Sequence, residues 1–280
     1  MMMKKTVKFI LTHLSILLLI VSCSFQNNNK SPVIAVTTSY LECAARDICG
    51  DEIAIARLVP PGLCPGHFDI APGIIKEIKN SVLFLRFDFQ KVIDEKIRAI
   101  APKSFVIQPI PAPEGLCIPD SYYQIVQKTY EGLCAAFPDK KATFDDNFAN
   151  IQKKINDLTN ECEFKINDSG LKGAKVISSG HQSFFCRWLG LDVMAEYSGA
   201  DSVSPPALQS LLNKESNADV QFVVSNLQEG GQMGSAIASR LGVPLVVFSN
   251  FPSMAPTEND FYSLIRNNLN NLLSNLTSKK

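Results

Sequence analysis

The sequence lacks an excess of charge of either sign. Its 280 residues include 27 lysines and arginines and 27 aspartates and glutamates. Proteins that bind nucleic acids or anionic surfaces usually carry a strong basic surplus, because their partners are negatively charged. We therefore expect no nucleic-acid partner. Imidazole is scarce as well, with three histidines in the chain, so a site built on histidine can draw on very few residues.

Paired cysteines at metal-binding or redox spacing are also missing. None of the eight cysteines belongs to a CxxC pair, which leaves a zinc-ribbon or thioredoxin-like site without support. An odd number of cysteines follows Cys23, and in an oxidising compartment this leaves at least one thiol free, buried or ligating. These later cysteines are Cys43, Cys49, Cys64, Cys117, Cys134, Cys162 and Cys186.

Long apolar runs are absent beyond the N-terminus. Three lysines in the first eight residues precede the apolar run Phe9–Val21, which is shorter than the roughly 20 residues that a transmembrane helix needs. This pattern predicts a signal peptide over residues 1–22. The junction Val21-Ser22-Cys23 resembles the bacterial lipobox, in which the cysteine is diacylated, and residues 23–31 form a polar tether. We expect an exported protein that Cys23 anchors to the cell membrane through lipid, on the extracytoplasmic side.

Short apolar runs alternate with helical patterns along most of the remaining chain. This alternation predicts parallel sheets whose strands are connected by crossover helices. The predicted strands cover residues 33–37, 53–59, 82–85, 105–107, 174–178, 193–196, 220–224 and 245–248, and a last helix is predicted over 257–276.

The middle of the chain differs, because residues 119–167 lack strand signals and carry apolar residues at helical spacing. Pro138 marks a kink or break in this helical element. We predict an α/β fold with two lobes, each with a mostly parallel sheet flanked by helices, joined by a long backbone helix. The predicted boundaries are 32–118 for the N-terminal lobe, 119–168 for the backbone helical element and 169–280 for the C-terminal lobe.

Three motifs follow predicted strands in a fixed order. Val59–Pro72 reads VPPGLCPGHFDIAP, Pro113–Asp120 reads PEGLCIPD, and Ser179–Phe184 reads SGHQSF. They resemble the VPPGxDPHxYEPTP, PHxWLDPE and SHxAF motifs of the solute-binding proteins of zinc and manganese ABC importers (cluster A-I), and the resemblance extends from Val33 to Leu276. It implies a monomeric binding protein, not an enzyme. Such a protein captures zinc or manganese as the transported ligand and passes it to the membrane permease of an ABC importer.

The departures from the family pattern fall at the metal ligands. The family uses two histidines from the first lobe, and these positions correspond to Gly66, with His67 beside it, and to Glu114. The third histidine of the family is kept as His181. The resemblance therefore implies that His67, Glu114 and His181 are ligands, and that a carboxylate replaces one imidazole.

The family's fourth ligand, a carboxylate from the far lobe, has no counterpart at the expected positions. Residues 224–228 and 248–250 contain neither aspartate nor glutamate, and Glu229 lies beyond the expected position. We therefore expect no four-ligand site copied from the family. Asn226 or Ser249 adds at most a neutral oxygen ligand.

Cys64 and Cys117 lie in the two loops that would bring His67 and Glu114 together. As thiolates, these cysteines would favour a softer ion such as zinc or copper(I). As a disulfide, they would fasten the two loops, which export permits. The sequence leaves both roles open.

Two further functions are compatible with the sequence. The same fold suits a metal chelate such as haem or cobalamin, because the substituted ligand positions leave room for a bulkier cargo. An exported hydrolase with a Cys64–His181 pair is a third hypothesis, although no nucleophile-elbow or cysteine-protease signature supports it. Stabilisation by a ligand without turnover separates a binding protein from an enzyme.

Overall fold

The computed structural model describes residues 33–61, 63, 70–198, 206, 209, 211–213, 218–255 and 257–277. The predicted signal peptide, the tether with Cys23, and the loop residues Cys64 and His67 lie outside this set. In the part of the chain that is described, no helix is both long and apolar enough to cross a membrane.

The N-terminal lobe contains one parallel four-stranded sheet. Its elements are β1 (Val33–Val36), α1 (Ser39–Cys49), β2 (Ala54–Arg57), α2 (Pro72–Asn80), β3 (Ser81–Phe87), a 3₁₀ turn (Asp88–Ile93), α3 (Asp94–Arg98) and β4 (Val106–Ile110). The strands follow the order β2-β1-β3-β4. Strand β1 is apolar and buried at every position, as expected of a strand covered by helices on both faces. Helix α1 begins where the Thr38 side chain accepts a hydrogen bond from the Leu41 N–H.

Two helices connect the lobes. Helix α4 (Pro119–Ala136) and helix α5 (Lys141–Ser169) are separated by a 3₁₀ turn (Pro138–Lys140), so the predicted interruption at Pro138 is a break. The 29 residues of α5 span about 43 Å at 1.5 Å per residue. Its buried side chains recur every three, four or seven positions and form one stripe, which packs against α1 of the first lobe and the last helix of the chain. Gly170 ends α5 in a left-handed conformation with φ 71°.

The C-terminal lobe repeats the topology of the first. Its elements are β5 (Lys175–Ser179), α6 (Gly180–Trp188), β6 (Asp192–Tyr197), β7 (Phe222–Asn226), a 3₁₀ turn (Leu227–Glu229), α7 (Gln232–Leu241), β8 (Leu245–Phe248) and α8 (Phe261–Thr277). The parallel strands follow the order β6-β5-β7-β8, which corresponds strand for strand to the N-terminal sheet. The predicted fold class, two α/β lobes joined by a long helix, is confirmed.

The last helix starts later than the sequence pattern predicted. Helix α8 begins at Phe261 rather than at Thr257. An isolated bridge between Ala255 and Glu258 holds the preceding residues in a turn. Asp260 then accepts a 2.6 Å hydrogen bond from the Ser263 N–H, which is the contact of a helix N-cap. Residues 257–260 are all polar, so the apolar periodicity does not locate the start of the helix, which the turn and the N-cap contact set.

An aromatic cluster joins the two lobes behind the sheets. Tyr122 of α4 stacks on Phe261 of α8 with ring centroids 4.0 Å apart, and Tyr40 of α1 meets both rings edge-on. All three side chains are buried. The main hydrophobic core therefore runs without interruption from the N-terminal sheet through the connecting helices to the C-terminal sheet.

Candidate metal-binding cleft

A cleft of about 450 Å³ lies between the two lobes. In open parallel sheets, ligands bind outside the carboxyl ends of the strands, near the point where the strand order reverses. The cleft fits this rule, since its wall consists of residues that follow β3 and β4 of one sheet and β5, β7 and β8 of the other. Glu114, His181, Asn226 and Glu229 all line it.

His181 and Glu229 lie side by side at the C-terminal side of the cleft. His181 is the second residue of α6, directly after β5, and Glu229 ends the 3₁₀ turn that follows β7. The Glu229 Oε1 lies 3.4 Å from the His181 Nε2. The His181 side chain is 65% exposed, whereas Glu229 is 20% exposed. An accessible imidazole and a carboxylate thus face the same space, and both groups bind divalent ions.

Ser179 holds this pair in position. The Ser179 hydroxyl donates a hydrogen bond to the Glu229 Oε2 and accepts one of 3.3 Å from the His181 N–H. Ser179 is fully buried at the end of β5. The end of β5 therefore orients the Glu229 carboxylate and fixes the backbone of His181, and outer residues commonly hold the ligands of a metal in this way.

Glu114 reaches the cleft from the N-terminal lobe. It follows β4 in the segment before α4, where its carbonyl oxygen accepts a 3.1 Å hydrogen bond from the Ser121 hydroxyl. Glu114 and His181, two residues predicted from the sequence, therefore lie in the wall of one cleft although they belong to different lobes. His67 lies outside the described residues, so its role stays a prediction.

Asn226 lines the cleft as predicted, but its amide oxygen is already engaged. The Gln182 Nε2 donates to the Asn226 Oδ1 at 3.2 Å and to the Asn250 Oδ1 at 2.9 Å. Ser249, the other predicted oxygen donor, uses its hydroxyl to bond the Phe251 carbonyl at 2.8 Å. The neutral oxygens proposed as metal ligands from the sequence are thus committed within the protein.

Cys117 lies beneath the cleft rather than in its wall. Its thiol is free and 1% exposed, and its Sγ donates to the Ser249 carbonyl at 3.1 Å. Burial raises the pKa of this thiol far above its ordinary value, which disfavours the thiolate that binds metals. The sequence-based roles of Cys117 as a ligand or a disulfide partner are therefore not seen. Cys64, the predicted partner, lies outside the described residues.

Sequence reasoning missed Glu229 as a member of the site. The family resemblance placed the carboxylate within residues 224–228 or 248–250, and Glu229 lies one residue beyond the first of these ranges. The 3₁₀ turn after β7 brings the Glu229 side chain to His181. The available signal was that Glu229 is the first acid after the predicted strand, which ends at Val224. Within the residues described, no group of three or more histidine, cysteine, aspartate and glutamate side chains is placed so that it could hold a metal ion.

Comparisons with known proteins agree with this architecture. The chain is 25% identical over 255 residues to a putative metal-binding protein of Thermotoga maritima, covering 81% of this chain and 90% of that protein. A manganese-bound periplasmic metal-binding protein from Candidatus Liberibacter asiaticus superposes with a TM-score of 0.72 at 15% identity, covering 87% of this chain and 99% of the other.

A crystal structure of ZnuA likewise superposes with a TM-score of 0.72 at 16% identity, covering 88% of this chain and 99% of the other. Likeness at this level of identity establishes the shared fold. The model of the family of zinc-uptake complex component A, periplasmic (ZnuA), matches residues 117–275, more than half of the sequence. The chain therefore belongs to the ZnuA family.

Proposed function

We propose that this protein is the extracytoplasmic binding component of an ABC importer and captures a divalent metal ion of the zinc or manganese class between its two lobes. Membership of the ZnuA family supports an uptake role. The observation that carries the proposal is the His181–Glu229 pair in the wall of the cleft, where the buried Ser179 holds the Glu229 carboxylate.

The proposed ligands come from both lobes. The His181 Nε2 and the Glu229 carboxylate bind from the C-terminal lobe, and the Glu114 carboxylate binds from the N-terminal lobe. His67, in the loop after β2, is proposed as a fourth ligand on the resemblance of its motif. Such a mixture of imidazole and carboxylate groups suits both zinc and manganese. Binding by both lobes would draw them together around the ion.

Two further parts of the proposal concern the membrane. Lipid on Cys23 would hold the protein at the extracytoplasmic face of the cell membrane, close to the permease that receives the ion. The predicted monomeric state fits this role, since residues of one chain line both walls of the cleft. The alternative of a Cys64–His181 hydrolase is set aside, because the ZnuA family consists of metal-binding transport proteins.

Thermal unfolding with and without metal tests the proposal. A ligand that binds only the native state at a hundredfold excess over its dissociation constant stabilises it by about 2.7 kcal/mol. We expect zinc or manganese to raise the melting temperature of the wild type and to raise that of His181→Ala far less. The apo melting temperatures should agree, because the His181 side chain is largely exposed. Equal metal-induced shifts in the two proteins would place the binding site elsewhere.

A further inference from the structure

Gln182 controls which polar atoms the floor of the cleft offers to a ligand. Its side chain is fully buried on α6, and its Nε2 donates to the Oδ1 of both Asn226 and Asn250. Both asparagines line the cleft. Because their oxygens accept hydrogen bonds from Gln182, their amide nitrogens are the side-chain polar groups left to meet a ligand.

The hydrogen bonds beneath the cleft support this orientation of the amides. The Ser249 N–H donates to the Asn268 Oδ1 at 2.9 Å, which fixes the Asn268 amide nitrogen toward the Cys117 Sγ at 3.6 Å. The Cys117 thiol then has the Asn250 Oδ1 at 3.5 Å as one of its acceptors. The Asn250 oxygen therefore accepts from Gln182 at 2.9 Å and lies within reach of the Cys117 thiol, whose single S–H also has the Ser249 carbonyl at 3.1 Å.

Rotating the Gln182 amide so that its oxygen and nitrogen exchange places would cost more free energy. As the structure stands, the Gln182 Oε1 is the one atom of this amide that is buried without a partner. Reversing Gln182 would put its amide nitrogen, with two N–H groups, in that position. Unpaired buried N–H groups are rarer in proteins than under-satisfied carbonyl oxygens. The floor of the cleft therefore presents hydrogen-bond donors, whereas a bare cation requires electron-pair donors.

The walls of the cleft also offer more apolar surface than a bare ion needs. Phe89 and Phe184, which are 53% and 39% exposed, face it from opposite lobes. Leu116 and Phe251 add further apolar surface. These walls suit the carbon skeleton of a small organic molecule.

We propose that the cargo is a divalent metal ion carried by a small carboxylate chelator, and that Gln182 determines this specificity. The inference rests on the proposed function, since His181 and Glu229 still hold the metal. The chelator's carboxylate oxygens accept hydrogen bonds from the amide nitrogens of Asn226 and Asn250, and its carbon skeleton packs against Phe89 and Phe184.

Calorimetric titration with zinc chloride, citrate and preformed zinc–citrate tests the inference. If the site takes the complex, zinc–citrate binds at least tenfold more tightly than zinc alone. If it takes the bare ion, citrate competes for zinc and weakens the apparent affinity. The two cases thus differ in the sign of the effect of citrate.

The variant Gln182→Glu tests the role of the hydrogen-bond donors at the floor of the cleft by replacing them with acceptors. A carboxylate at this position accepts from the amide nitrogens of Asn226 and Asn250 and turns their oxygens toward the cleft. We expect tighter binding of zinc alone and at least tenfold weaker binding of zinc–citrate. The double variant Asn226→Asp with Asn250→Asp also presents oxygen acceptors to the cleft, and it leaves the buried Gln182 side chain on α6 unchanged. Asn150→Asp, on the exposed face of α5, is the control for added charge and should leave both affinities unchanged.

The outcomes separate this inference from the proposed function. Tight binding of zinc alone, weakened by citrate in the wild type and in every variant, would overturn the chelate inference and leave the metal-binding function standing. Failure of zinc to bind in either form would contradict the proposed function and this inference with it. Binding of citrate alone as tightly as zinc–citrate would overturn the role of the metal.

Discussion

Glu229 contributes more to the candidate site than its position in the sequence indicates. It lies three residues after the end of a buried strand core, on a 3₁₀ turn, and it contacts both His181 and Ser179. A carboxylate held by a buried hydroxyl loses little freedom when a cation binds, because its orientation is fixed beforehand. The pair of residues from different strand ends therefore forms the preorganised half of the site.

Replacing Glu229 tests its assignment as a ligand. We expect Glu229→Gln to weaken zinc or manganese binding by more than about 100-fold, and Ser179→Ala to weaken it by about 10- to 100-fold, the range for loss of an outer partner of a ligand. Glu131→Gln serves as the control, since Glu131 pairs with Lys128 on the exposed face of α4. Equal affinities for Glu229→Gln and Glu131→Gln in calorimetric titrations would remove Glu229 from the site.

Gly115 shapes the opposite wall of the cleft. It adopts φ +73°, and a Cβ at this position would lie 2.8 Å from the Phe184 Cβ of the other lobe. Gly115→Ala should therefore lower the free energy of unfolding and also weaken ligand binding, because relief of the clash moves the lobes apart. Gly173→Ala isolates the backbone strain, since Gly173 has φ +77° with open space around it. That strain alone costs about 1 to 2 kcal/mol.

Urea unfolding and metal titration of the two glycine variants check this prediction. Gly115→Ala should lose more stability than Gly173→Ala and should alone lose affinity. Similar losses of stability together with wild-type affinity in both variants would show that the contact between Gly115 and Phe184 does not set the width of the cleft.

At the scale of secondary structure elements, Asp47 connects the helices that join the lobes. Its carboxylate on α1 accepts hydrogen bonds from Tyr122 of α4 at 2.7 Å and from Tyr262 of α8 at 3.2 Å. The Lys154 Nζ of α5 lies 3.6 Å away, and Asp260 adds a like charge. One side chain, 13% exposed, thus ties together four helices from both lobes.

This arrangement predicts a pH dependence of stability. Burial raises the pKa of Asp47, and the hydrogen bond from Tyr122 and the charge of Lys154 oppose that rise. Because the folded state binds this proton more tightly than the unfolded state, Asp47 destabilises the fold at neutral pH. This destabilisation is relieved as the pH falls through the raised pKa toward the ordinary value.

Asp47→Asn removes this titration and keeps an oxygen acceptor for the tyrosines. We expect the free energy of unfolding of the variant, relative to the wild type, to be higher at neutral pH than near pH 4. Urea unfolding of both proteins across this range measures the difference. A constant difference at all pH values would mean that the pKa of Asp47 is the same in the folded and unfolded states.

Most of the elements follow from the sequence, and the exceptions have local causes. The strands around Ile34 and Val223 are visible as apolar runs, and Pro138 ends a helix because it cannot donate a backbone hydrogen bond. Glu229 and the start of α8 depend instead on single turns, which apolar periodicity does not record. The role of Gln182 depends on its contacts with Asn226 at the end of β7 and with Asn250 after β8. These residues are distant from Gln182 in sequence, so no local pattern reveals the role.

For the whole molecule, the two lobes repeat one strand order and share a continuous core. The long helix α5 packs against elements of both lobes, which favours a small closing movement over a wide opening. Binding at strand ends from both lobes fits such a movement, because each lobe contributes ligands that are already close to the cleft.

The predicted lipid anchor determines where the whole molecule is located. Cys23→Ala should abolish acylation and release the protein from the membrane fraction, because the predicted anchor is the lipid on Cys23. Detergent-phase partitioning of the variant and of Cys134→Ala, a control at a partly buried cysteine of α4, measures the effect. Retention of Cys23→Ala in the detergent phase would contradict the anchor.

We propose above all that the cleft between the lobes binds a divalent metal through His181 and Glu229. Anomalous diffraction at the zinc and manganese absorption edges, on crystals of protein purified without chelator, locates the ion directly. We expect one strong peak at coordination distance from the His181 Nε2 and a Glu229 carboxylate oxygen, about 2.0 to 2.2 Å for zinc. A peak elsewhere in the molecule, or no peak in the cleft after loading with either metal, would contradict it.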